Sequence, residues 1–170
     1  METPSNQPSL ARRLVFGRNP RVTLIRAGLL ALVAFVFFGF VLRPMRIRGL
    51  SMAPTYSDGS INLLNRLAYR SSPPQRGDVV CIRTTGISHL FMKRVVGLPG
   101  ERIAIVDGQV LIDGQPLDEP YVVGREKWNL AEKQLGPGEF IVIGDNRSMD
   151  QQLHSWGRVP REKIAGKVLW

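Results

Sequence analysis

One long apolar stretch stands near the start of this 170-residue chain, and short apolar runs broken by turn residues fill the rest. The stretch is Ala27–Leu42, sixteen residues without a polar side chain. At 1.5 Å per residue it measures about 24 Å, short of a hydrocarbon core of about 30 Å. Val22–Ile25 supplies the missing length, with Arg26 reaching toward the headgroups. The pattern predicts one transmembrane helix over residues 22–42. A cleaved signal peptide fits less well, because Arg43-Pro44-Met45-Arg46 follows where a small-residue cleavage site should stand. A buried core helix would show a polar face, and this stretch has none.

Beyond Arg46 no segment has a convincing helical period. Val79–Ile82, Ile103–Val106, Val110–Ile112, Phe140–Ile143 and Ile164–Leu169 read as strands bounded by turn residues. Asp107-Gly108 separates two of them and predicts a tight hairpin, and Asp113-Gly114 marks another turn. Residues 125–135 read as a surface loop or a single helical turn. The expected organisation is a flexible basic tail over 1–21, a span over 22–42 and a β-rich domain over 43–170. The fold class is mainly β, an antiparallel sheet or barrel.

The charge of +9 would ordinarily suggest nucleic acid or anionic lipid. Its distribution changes that picture. Residues 1–48 hold eight arginines against Glu2 and carry +7, leaving +2 for the remainder. The excess flanks the apolar stretch, so it reads as a topology signal and argues against nucleic acid. Five arginines precede Ala27 and three follow Leu42, which favours a cytoplasmic N-terminus and a translocated β domain. One cysteine excludes an intrachain disulfide, and Cys81 sits in an apolar run as a buried, inert thiol.

Candidate chemistry narrows by residue type. His89, His154 and Cys81 lack metal-ligand spacing, so no metal site is expected. A Ser-His-Asp triad through His154 with Asp145 or Asp150 lacks a nucleophile elbow, and both histidines read more simply as surface or loop residues. Trp128, Trp156 and Trp170 suit either a headgroup belt or core packing. A serine–lysine pairing is the remaining option. Gly49-Leu50-Ser51-Met52-Ala53-Pro54 sets a serine in a tight turn, and Leu90-Phe91-Met92-Lys93-Arg94-Val95-Val96 sets a lysine on an apolar strand. Desolvation there would lower the lysine from its usual value of about 10.4 and let it deprotonate the serine. The competing reading makes Lys93 and Arg94 a solvated pair on a strand edge.

Four ordered segments bear on that choice: Gly49–Thr55, Arg76-Gly77-Asp78-Val79-Val80, Lys93–Glu101 and Gly144-Asp145-Asn146-Arg147. Together they resemble the type I signal peptidases, membrane-bound Ser/Lys proteases that remove signal peptides from exported proteins. The resemblance implies a β-rich fold without metal or cofactor, with Ser51 as nucleophile and its backbone N–H as oxyanion donor. It implies Lys93 as general base, and Gly144, Asp145, Asn146, Arg147 and Asp150 as support of the site. Ile47, Met52, Phe91 and Met92 are the candidate walls of shallow pockets for small residues, an A-x-A-like pattern. The implied partners are preproteins and the lipid bilayer. The implied placement is single-pass in a bacterial inner membrane with the catalytic domain outside; the oligomeric state is left open, with a monomer favoured. Ser51 lies nine residues beyond Leu42, which suggests a site near the membrane face.

Two positions depart from the family. Gly49 stands where some relatives carry a serine hydroxyl that assists the oxyanion. After Arg147 the family's Ser-x-Asp-Ser-Arg run is replaced, with Asp150, Gln152, Leu153 and His154 at the matching positions. An ionised Asp150 beside Lys93 would favour the ammonium, so Asp150 is expected to point away, leaving Ser148 or Ser155 to orient the lysine. A peptidase dedicated to one pilin or conjugation substrate and an inactive precursor-binding module share the same motifs. A self-cleaving repressor shares the dyad but carries a DNA-binding module where this chain has its apolar span.

Overall fold

The computed structural model describes residues 19–84, 90–152, 154 and 157–169. The chain separates into two units, residues 1–40 and 41–170. The first contributes helix α1, Pro20–Val36, which continues as a π-type turn over Phe37–Val41. Asn19 caps it, its side-chain oxygen accepting from the Arg21 amide at 3.1 Å. Pro20 at the first helical position adds a preset φ, so the helix starts at Pro20 rather than Val22. Pro20–Val41 is 22 residues long with a mean hydropathy of 2.4 and no buried window, long and apolar enough to cross a membrane. Leu42 already belongs to a strand, because Pro44 cannot continue a helix.

The second unit is antiparallel β. Its strands are β1 Leu42–Arg46, β2 Ile61–Asn65, β3 Val79–Arg83, β4 Leu90–Gly97, β5 Arg102–Val106 and β6 Gln109–Ile112. They continue as β7 Gln115–Pro116, β8 Leu130–Gln134, β9 Glu139–Ile143, β10 Gly157–Pro160 and β11 Ile164–Leu169. A seven-stranded sheet runs β1-β2-β11-β3-β4-β9-β10, and a four-stranded sheet runs β7-β6-β5-β8. The Asp107-Gly108 hairpin forms as the dipeptide predicts. Both residues have positive φ, 47° and 82°, and Val106 pairs with Gln109 across the turn.

The segment 125–135 departs from expectation: Leu130–Gln134 is strand β8, paired with β5. Four of its five residues are exposed, so it closes a sheet edge with little apolar signal. The five expected strands are all present. β4 is the strand that matters most for the site. From Met92 to Gly97 every residue is buried; β4 pairs with β3 from Leu90 to Arg94 and with β9 from Arg94 to Gly97. One apolar cluster gathers Ile47, Met52, Tyr56, Cys81 and Met92 beneath the serine turn. A second joins Val96, Ile103, Trp128 and Ile143 between the sheets' strands.

Candidate active site

Ser51 sits in a turn closed by the Ala53 amide donating to the Leu50 carbonyl at 3.0 Å and the Tyr56 amide donating to Met52 at 2.9 Å. Gly49 enters this turn at a φ of 99°, a conformation that favours glycine, while its amide donates to Asp58 Oδ1 at 2.8 Å. The following loop pins the turn from the other side. The Asn146 amide donates to the Ser51 carbonyl at 3.1 Å, and Asn146 Nδ2 donates to the Leu50 carbonyl at 3.0 Å. Among the described residues nothing hydrogen-bonds to the Ser51 hydroxyl or to its amide. Both groups are left open on a fixed backbone.

Lys93 lies on β4 with only 2% of its surface exposed, which rules out the solvated-pair reading. Burial lowers its pKa from 10.5 to about 8, opposed by the negative charge of Asp145. Arg94, next along the strand, takes that carboxylate in a two-pronged ion pair, Nε to Oδ1 at 2.8 Å and Nη2 to Oδ2 at 2.5 Å. Tyr121 stacks under the same guanidinium, 4.0 Å from ring centroid to carbon.

Gly144 ties the lysine strand to the serine turn. It follows Ile143, the cross-strand partner of Arg94. A Cβ on Gly144 would lie 2.2 Å from the Ser51 carbonyl oxygen and 2.6 Å from His154 Nε2, so only glycine lets the three pack together. The Gly144 amide donates to His154 Nε2 at 2.9 Å. His154 is therefore a hydrogen-bonded loop residue, but one buried inside the site and not at the surface. Its ring meets Trp128 edge-on at 4.8 Å, and among the described residues its buried Nδ1 has no partner. Burial, with the nearby charges of Lys93 and Arg147, holds its pKa down at about 3, so the imidazole stays neutral. Neutrality and an accepting Nε2 put the proton on Nδ1.

The remaining support residues close the loop. Arg147 donates through Nε to the Gly144 carbonyl at 2.8 Å and pairs with buried Glu119 at 2.5 Å. Sequence reasoning missed Glu119, since a carboxylate between Asp118 and Pro120 carries no signal of its partner. It reads His154 only as a disfavoured triad member or a loop residue, and the place of His154 at the family's arginine position was the available cue to its burial. Trp128 is a core residue, 3% exposed, with Nε1 donating to the Met149 carbonyl at 3.0 Å. Cys81 is buried, with its thiol pushed up to about 12 by desolvation.

Asp150 is exposed and caps its own turn, accepting from the Gln152 amide at 2.8 Å. Ser148 donates to Asn146 Oδ1 at 2.6 Å and so does not orient the lysine. Ser155, Leu153, His89, Trp156 and Trp170 lie outside the described residues. Of the expected pocket walls, Ile47, Phe91 and Met92 line a groove of about 830 Å³ together with Met45 and Leu90. Met52 instead packs into the cluster below and does not face the groove.

Comparisons with known proteins point to one family. The profile of the family described as signal peptidase, peptidase S26, matches residues 21–170. A signal peptidase I from Leptolyngbya laminosa is 32% identical over 177 aligned positions, spanning 99% of this chain and 86% of its own. A probable signal peptidase I-1 from Synechocystis is 33% identical, spanning 77% of this chain and 71% of its own. Signal peptidase IB from Staphylococcus aureus is 27% identical over 80% of both. With a family match that takes in the apolar helix, the serine turn, the buried lysine and the Gly144–Arg147 loop alike, this chain belongs to the signal peptidase family, peptidase S26.

Proposed function

We propose that this chain is a membrane-anchored serine endopeptidase that removes signal peptides from preproteins with a Ser51/Lys93 dyad. The observation that carries the reading is a lysine 2% exposed, held to a pKa of about 8, on a strand that pairs with the strand leading into Gly144, whose backbone packs against the Ser51 carbonyl.

Neutral Lys93 takes the proton of Ser51 Oγ as that oxygen attacks the scissile carbonyl. The Ser51 amide N–H donates to the oxyanion that develops. The Lys93 ammonium returns the proton to the leaving amine as the C–N bond breaks and an acyl-serine remains. Water then loses a proton to Lys93 and attacks the ester, releasing the new carboxylate and restoring Ser51. Gly49 offers no hydroxyl to the oxyanion, so the backbone donor acts without side-chain help from that position.

The groove floored by Ile47, Phe91 and Met92 supports binding of an extended segment with small residues before the cut. The three units of the reading are a basic tail, an anchor over Pro20–Val41 and a catalytic domain from Leu42 onward. The excess of arginines before Ala27 supports a cytoplasmic N-terminus, with the catalytic domain outside a bacterial inner membrane. The enzyme acts there as a monomer at the bilayer surface.

The test uses the full chain in detergent with a panel of preproteins, beside Ser51→Ala and Lys93→Ala. Cleavage after a small residue that is lost in both variants supports the dyad. Equal activity in all three would falsify it. Protease protection of inverted and right-side-out vesicles reads the orientation, and an outside N-terminus overturns that part.

A further inference from the structure

The groove of about 830 Å³ carries a charge pattern that cleavage after small residues does not require. Among the described residues, Arg43, Arg46, Arg48, Arg66 and Arg83 line it, and no aspartate or glutamate does. All five are exposed. Arginine keeps its charge at any working pH, so this rim is permanently cationic. Arg46 is held in place, Nε donating to the Gly59 carbonyl at 3.2 Å. The arginines stand on two sides. Arg43, Arg46 and Arg48 come from β1 and the residues after it, whereas Arg83 ends β3 opposite Leu90.

The backbone around the groove indicates what class of molecule fits. β1 is an edge of the seven-stranded sheet. β4 pairs with β9 only from Arg94 onward, so Leu90–Lys93 keep the side away from β3 open. Open strand edges over an apolar floor receive an extended peptide by strand addition. Side chains of such a peptide alternate, so some face the floor and others reach the rim. Carboxylates reaching guanidinium groups make charge-assisted hydrogen bonds that lysine or a neutral residue cannot.

We propose that this groove selects preproteins bearing aspartate or glutamate within a few residues of the scissile bond, read by Arg46, Arg48 and Arg83. The inference rests on the proposed function, since it makes the groove the substrate channel leading to Ser51. A phosphodiester or lipid headgroup shares the anionic charge but offers no amide ladder to the open edges, which favours the peptide.

The experiment separates binding from cleavage. Peptides spanning one cleavage site carry Asp, Asn or Lys in turn at each flanking position and are titrated onto full-length Ser51→Ala in detergent. At one or more positions Asp should bind about three- to tenfold tighter than Asn, and Lys weaker, with the contrast shrinking as salt rises. An Arg48→Glu/Arg83→Glu variant in the same background should reverse the order, favouring Lys. The same peptides are assayed for cleavage with Ser51 intact, where the preference should appear in KM. Equal affinity for Asp, Asn and Lys at every position overturns the proposal, even if all are cleaved. Preference in binding without any Ser51-dependent cleavage overturns the proposed function and leaves the acidic preference standing. If the charge reversal leaves peptide preference intact but abolishes binding to phosphatidylglycerol vesicles over phosphatidylcholine, the rim serves lipid and the proposal fails.

Discussion

Arg94 grips Asp145 with both prongs of its guanidinium, at 2.8 and 2.5 Å, and Asp145 is wholly buried in that grip. The pair explains how a carboxylate can stand near Lys93 without holding it as an ammonium. Much of the Asp145 field is spent on Arg94, and desolvation dominates at the lysine. Arg94→Gln leaves a buried carboxylate uncompensated, and should cost about 3–5 kcal/mol of stability. It should also move the acid limb of the kcat/KM profile to higher pH, since Asp145 would then act on Lys93 alone. Denaturant melts and rate profiles on the one variant read both effects.

For the unaltered enzyme, kcat/KM should rise with pH and reach half its maximum near the Lys93 value of about 8. Stability follows the same group. The folded pKa lies below that of the unfolded chain, so the unfolded state binds more protons between about 8 and 10.5. Stability therefore rises with pH across that window, and Lys93→Met should flatten the rise. Denaturation midpoints at several alkaline pH values measure it.

Gly144→Ala forces a methyl group to 2.2 Å from the Ser51 carbonyl and 2.6 Å from the His154 ring. The backbone contact cannot swing aside as a flexible side chain would. A loss of about 1–3 kcal/mol in stability is expected, with a fall in kcat larger than any change in KM. A kinetic split with KM rising and kcat unchanged would contradict the placement.

His154 gives stability an acidic slope. Its folded pKa of about 3 lies below the ordinary 6.5, so only the unfolded chain gains this proton as pH falls between those values. Going from pH 7 to pH 5 should therefore cost about 2 kcal/mol through this group. His154→Gln can still accept from the Gly144 amide but cannot ionise, so it should lose that part of the pH dependence. Melts of both proteins at the two pH values check it.

Asp150→Asn should leave the acid limb of kcat/KM where it is, because Asp150 is exposed and caps the Gln152 amide. A limb that moves clearly to lower pH would show that its charge reaches Lys93.

Much of the candidate site was legible in the chain because its parts are local. The serine turn needs Gly49 at positive φ, and the hairpin at Asp107-Gly108 needs two residues that tolerate it. Each demand leaves a short, readable signature. β8 left none, since Leu130–Gln134 is a polar edge strand whose conformation comes from pairing with β5. The wall residues divide on the same ground. Ile47, Phe91 and Met92 face the groove, but Met52 turns into the core, and only the packing of the serine turn decides that.

The sequence by itself determined an apolar helix long enough to span a membrane, a β-rich domain, and Ser51 with Lys93 as the pair to consider. Hydrophobic length, turn residues and motif order carry those without reference to distant contacts. The tertiary structure decided whether the pair sits in a setting that can work. It buries Lys93 on β4 beside β3, binds Asp145 to Arg94, brings neutral His154 against Gly144 and turns Asp150 to solvent. A lysine's proton affinity is set by the water excluded around it and by the charges that remain. Those come from strands far apart in the chain, which no local pattern records.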